Sequence, residues 1–144
     1  MKTRISLSLF FFLFCLSSLA SADEYSGNVQ ARVILKTKNT SNGQPIAYLQ
    51  SNNPEVTVMT VELSPGAETG WHTHPFPVYA YILSGSLAID VEGKNTSFFQ
   101  GGDAIVEVVN TRHCGKNNGS VPVKLVVFYT GVENLPNVTR TVTP

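Results

Sequence analysis

Only three histidines occur in this 144-residue chain, and two of them, His72 and His74, are two positions apart. In a strand, residues i and i+2 leave the same face about 7 Å apart at the Cα level. Two imidazoles so placed can converge on one ion about 2 Å from each ring nitrogen. His113 is a third donor of the same kind. Surface histidines in a strand show the same spacing, so the pair alone does not decide the chemistry. Two carboxylates lie within reach in sequence. Glu107 interrupts the otherwise apolar run Ala104 to Val109; an inward carboxylate there needs a cation, a donor or its proton. Glu68 shares strand parity with Gly70, His72 and His74 if the strand runs unbroken that far back; otherwise it is a solvated residue after Pro65-Gly66. Either glutamate could serve as a ligand or as an acid/base. Cys114 follows His113 but has the opposite parity, which makes it a packing residue rather than a fourth ligand.

The segments that must position these groups alternate with a period of two and are punctuated by turn residues. Arg32 to Lys36 and Glu55 to Leu63 read as strands, separated by the polar loop Asn39 to Pro45 with its Asn42-Gly43 turn signal. Val78 to Leu83, Leu87 to Val91, Thr96 to Phe99, Ala104 to Val109 and Val121 to Tyr129 follow. Helical periodicity is confined to the first residues, so the sequence predicts an all-β, antiparallel sandwich or barrel.

Residues 1–22 stand apart. Lys2 and Arg4 precede an apolar stretch from Ile5 to Leu19, and Ala20-Ser21-Ala22 offers small residues for cleavage, the pattern of a secretory signal peptide. The stretch, about 15 residues, is short of the ~20 a membrane-spanning helix needs. The expectation is an exported protein, periplasmic or secreted, whose working domain is residues 23–144. Cleavage removes Cys15 and leaves Cys114 alone, so no intrachain disulfide is expected and an apolar core must hold the fold. Ten basic side chains balance ten acidic ones, without a basic run after the signal, which argues against nucleic acid or an anionic membrane as partner.

The residues around the histidines resemble the two motifs of the cupin superfamily. Gly66, five residues, His72-Thr73-His74 and a later Gly85 match the first motif. Gly102, with His113 eleven residues on and Asn117 four beyond that, matches the second. The resemblance covers about 55–129 and implies a jelly-roll, or double-stranded β-helix, barrel with its core at about 55–131. It also implies one divalent transition metal ion, with Fe, Mn, Zn and Ni not distinguished, held by His72, His74 and His113. Three departures stand out. The family's metal-binding glutamate would fall at Val78, Val108 replaces a proline and Asn110 replaces a glycine. The site is therefore either a three-histidine centre or one completed by Glu107 or Glu68. By the family's register Val78, Ala80 and Ile82 surround the metal, while Tyr79 and Tyr81 pack elsewhere. A homodimer joined through the apolar strands 56–61 and 123–129 is implied as well.

For function, the resemblance implies a metal-dependent enzyme acting on a small organic molecule, in the manner of a dioxygenase, isomerase or decarboxylase. Two alternatives stay open: a non-catalytic module that binds a metal or small ligand, and a structural jelly roll with incidental histidines.

Overall fold

The two-residue alternation becomes strands whose inward side chains are apolar. A computed structural model describes residues 27–144; the signal-peptide reading of residues 1–22 falls outside them. In chain order the strands are β1 (Pro54–Leu63), β2 (His72–Thr73), β3 (Val78–Ser84), β4 (Ser86–Val91), β5 (Ser97–Gln100), β6 (Ala104–Val106), β7 (His113–Lys116), β8 (Val123–Val132) and β9 (Thr139–Arg140). Every pairing is antiparallel. One sheet has the order β1-β8-β3-β6, the other β5-β4-β7-β2-β9. Among the described residues there is no helix, and so none long and apolar enough to cross a membrane. The fold is an all-β jelly roll, as the alternation and the motifs predict.

Along β8, Val123, Leu125, Val127 and Tyr129 are buried while Lys124 and Phe128 face outward. Val78, Ala80 and Ile82 do the same on β3, and with Leu87, Ile89 and Val91 of β4 they form one continuous apolar core. The tight β3–β4 connection depends on Gly85. It adopts φ +84°, and a Cβ there would lie 2.7 Å from the Pro122 carbonyl oxygen, so any side chain meets both backbone strain and a clash.

Gly131 is needed for a different reason. A Cβ at this position would stand 2.6 Å from two ring carbons of Phe76, which is fully buried. Gly131→Ala is expected to cost about 1–3 kcal/mol through overpacking. The check is a lower urea midpoint with an unchanged denaturant slope.

Two expectations are corrected. Residues 32–36 form no strand and are exposed. The run Ala104 to Val109 is a strand only to Val106; beyond it the chain turns through Asn110, at φ +50°. Asparagine tolerates this left-handed conformation, so it can stand where the motif has glycine. The polar loop at 39–45 is closed by a bridge between Asn39 and Pro45 and docks on this turn. Ser41 donates its backbone N–H to the Val106 carbonyl, and the Gln44 side chain bonds the backbone of Val109 in both directions. Residues 27–32 fall in a separate N-terminal unit and carry no strand.

Candidate metal centre

β2 pairs with β7 so that His72 stands directly opposite His113. His74 follows just beyond β2, and its carbonyl accepts the Asn110 N–H at 2.8 Å, which ties the first histidine segment to the turn carrying the second. The three rings sit 4.3–5.0 Å apart, centroid to centroid, and all three residues are buried.

Glu107 completes the cluster, and its route there is the main structural finding. Tyr79 on β3 pairs with Val106 on β6. Continuing that register by one residue, the Glu107 N–H donates to the Val78 carbonyl at 2.8 Å. The position where the motif calls for glutamate is thus occupied by a fully buried valine, and the residue alongside it on the neighbouring chain segment is a glutamate. Its Oε2 lies 3.0 Å from His74 Nε2 and 3.2 Å from His113 Nε2. One donor atom from each of His72, His74, Glu107 and His113 lies within 4.8 Å of the others.

Hydrogen bonds fix the tautomers. Nδ1 of His72 faces the Gly70 carbonyl at 2.7 Å, Nδ1 of His74 the Asn137 carbonyl at 2.7 Å, and Nδ1 of His113 the Thr111 carbonyl at 3.0 Å. A carbonyl only accepts, so each Nδ1 carries the proton and each neutral ring keeps its lone pair on Nε2. Lone pairs of His74 and His113 then point at a carboxylate oxygen, an arrangement that repels unless positive charge stands between them. A divalent ion or added protons would supply it. The spacing suits an ion: two donors about 2.1 Å from a metal and roughly 90–109° apart are separated by about 3.0–3.4 Å. The donor set, three nitrogens and one carboxylate, could hold a divalent transition metal ion.

The electrostatics agree with this arrangement. Burial pushes the His72 imidazole down to about 4, assisted by the neighbouring His113 and His74 and opposed by the Gly70 carbonyl and Glu107. It is therefore neutral and available as a donor at physiological pH. Burial alone would raise the Glu107 carboxyl; only with protons on Nε2 of His113 and His74 do their hydrogen bonds and charge outweigh burial and hold it down to about 2, the role a bound cation would otherwise fill. Tyr129 packs edge-on against His74 with centroids 5.6 Å apart. Burial, and then the charge on Glu107, push its phenol up to about 12.

Glu68 lies elsewhere. Gly70 takes φ +75°, which breaks the strand before β2 and cancels the parity that would have aimed Glu68 at the histidines. Its side chain is more than half exposed, with Lys116 Nζ 3.8 Å away. Cys114 is fully buried, packed as its parity predicts. The inward residues Val78, Ala80 and Ile82 belong to the core but do not line the cavity at the cluster. That cavity, about 60 Å³, is walled by Val61, Leu63, Leu87, Ile89, Leu125 and Val127, with Tyr129 beside the histidines and Glu107. Two participants were not legible in the sequence. Tyr129 has the parity of an ordinary core residue, and Asn137 reaches His74 from 63 positions away, just before β9, a strand with no periodic signal.

Residues 59–129 match the family described as "Cupin domain". A curated relative, the tetracenomycin polyketide synthase protein TcmJ of Streptomyces glaucescens, is 34% identical over 67 residues, which is 46% of this chain. The chain spans only 44% of that relative's length. Among solved structures, a DMSP lyase of Ruegeria pomeroyi aligns with a TM-score of 0.53 at 21% identity, covering 69% of this chain and 47% of its own. A cupin-like protein of Thermotoga maritima gives 0.53 at 21%, covering 60% and 64%. An oxalate oxidase gives 0.51 at 20%, covering 58% and 45%. At these identities the likeness is one of fold.

Proposed function

Residues 59–129 of this chain are a cupin domain, and on that premise we propose that the protein is an exported, metal-dependent enzyme acting on a small organic molecule. The observation that carries this reading is the convergence of three Nε2 lone pairs and the Glu107 carboxylate at the end of an apolar cavity. His72, His74, Glu107 and His113 hold one divalent transition metal ion. Once bound, the ion supplies Lewis acidity and, if it is redox-active, electron transfer. The chain's own residues do the rest. Carbonyls of Gly70, Thr111 and Asn137 keep the rings oriented, aliphatic side chains wall the cavity, and the Tyr129 ring lines it against His74.

The DMSP lyase and the oxalate oxidase among the similar folds act on small molecules by name, which supports a small-molecule substrate here. Fold likeness does not select the reaction. Elemental analysis of the purified protein, followed by turnover assays on small chelating acids, diketones and thiols, tests the reading; a protein that neither contains nor takes up a divalent metal overturns it. Glu68→Gln is expected to leave metal affinity unchanged within twofold, since its carboxylate faces Lys116 and solvent. Isothermal titration with the chosen metal measures this directly.

Two further parts of the reading rest on other observations. Export is supported by the signal-like residues 1–22, and the N-terminal sequence of the mature protein tests it. A homodimer is supported by the outer face of the β1-β8-β3-β6 sheet. There Val56 and Val58 on the edge strand are more than half exposed, and Phe128 lies directly across from Val58. Such an edge invites pairing unless it is covered. The mass in solution, compared with that of Val58→Lys, checks it.

A further inference from the structure

The substrate cavity has an unusual electrostatic inventory. None of the lysine or arginine side chains among the described residues lines it. The cations nearest in sequence to the site residues are committed outside it: Arg112 to Glu92, Lys116 to Asp90, Lys124 to Glu62, and Arg140 to the Thr69 carbonyl. Polar donors are equally scarce. The histidine Nδ1 groups are spent on backbone carbonyls. The Thr69 hydroxyl donates to the Gly70 carbonyl at 3.1 Å and accepts from the Gly115 N–H at 3.0 Å. What remains is the Tyr129 hydroxyl, which has no hydrogen-bond partner among the described residues.

Charge then restricts the ligand. Three neutral imidazoles and one carboxylate around a divalent ion leave a net charge of +1. A monoanionic chelator brings the centre to neutrality. A dicarboxylate takes it to −1 inside aliphatic walls with no countercharge, and burying an unpaired charge is expensive. The cavity is small, about 60 Å³, which favours a compact ligand.

Resting on the metal-centre reading above, we infer that this cavity selects small monoanionic chelating molecules over dicarboxylates, and that the Tyr129 hydroxyl is the specificity-determining donor that receives them. A ligand whose chelating oxygen can also accept a hydrogen bond, such as an enolate or a hydroxamate, fits both requirements.

The test uses cobalt-loaded full-length mature protein, whose visible absorption reports ligands entering the metal's coordination. Acetohydroxamate and oxalate are titrated separately, and each affinity is referenced to that of the same ligand for aqueous cobalt. The protein is expected to shift the ratio toward acetohydroxamate by at least about tenfold. Tyr129→Phe is expected to weaken acetohydroxamate by about tenfold, the scale of one hydrogen bond, with cobalt affinity unchanged. A ratio equal to that in water, or shifted toward oxalate, overturns the charge argument. Unchanged acetohydroxamate binding in Tyr129→Phe overturns the role of Tyr129. Failure of the wild-type protein to take up cobalt would be distinct from both: it overturns the metal-centre reading, and the inference falls with it.

Discussion

Metal-depleted protein is expected to gain about 3–4 kcal/mol of stability when a divalent transition metal is added at some hundred to a thousand times its dissociation constant. For a domain of this size that corresponds to a rise in Tm of roughly 10 °C, readable by calorimetry. The reason lies in the metal-free cluster. His72, His74 and His113 are buried with their Nδ1 protons fixed on carbonyls, and their remaining lone pairs face each other and Glu107. The ion binds the folded arrangement and has no comparable site in the unfolded chain, so its binding energy is added to folding. Glu107→Gln keeps the shape and removes the charge, and is expected to lose most of the gain. His74→Ala should lose it entirely, although cavity formation will also lower the metal-free stability, which is why the near-isosteric variant is the sharper measurement. A wild-type Tm that does not respond to any first-row divalent ion would refute the assignment.

Asn117→Ala is expected to cost about 3 kcal/mol and to leave metal stoichiometry in the folded protein unchanged. Asn117 is almost fully buried, and its amide serves three backbone groups. Nδ2 donates to the Leu63 carbonyl at 2.9 Å and to the Val121 carbonyl at 2.8 Å, and Oδ1 accepts from the Gly119 N–H at 3.0 Å. The side chain therefore joins the end of β1, the loop before β8 and the turn after β7. Alanine strands all three groups, and an unsatisfied buried polar group costs about 1–3 kcal/mol, with partial relaxation expected here. Urea unfolding measures the loss; a change below about 0.5 kcal/mol would show that water replaces the amide.

Much of this molecule is legible in its sequence because it depends on local periodicity. Alternating β-branched and apolar residues predict β1, β3, β4 and β8, since a strand presents every second side chain to the same face. The resemblance to the cupin motifs carried by Gly66, His72, His74, Gly102, His113 and Asn117 implies the jelly roll and a histidine centre. Parity also places Cys114 in the packing. Where local reading fails, the cause is a backbone event that propensity does not encode. Gly70 at positive φ breaks the run that would have aligned Glu68 with the histidines, and the left-handed turn at Asn110 ends the β6 segment early.

The carboxylate question could be answered only in three dimensions. Position 78 is a valine, and nothing local says which glutamate, if either, replaces the missing acid. The choice follows from the β3–β6 register, Tyr79 opposite Val106, which brings Glu107 alongside Val78 and within 3.0–3.2 Å of two histidines. Ring orientation is equally non-local, because the carbonyl holding His74 belongs to Asn137 near the far end of the chain. Sequence alone determined the histidine spacing and the long strands β1, β3, β4 and β8, because those depend on the spacing of neighbours along the chain, whereas the short strands β2 and β7 that carry His72 and His113 did not show in it. Which acid joins them, which tyrosine faces them and what holds each ring depend on cross-strand register, and that is set only when the whole sheet closes.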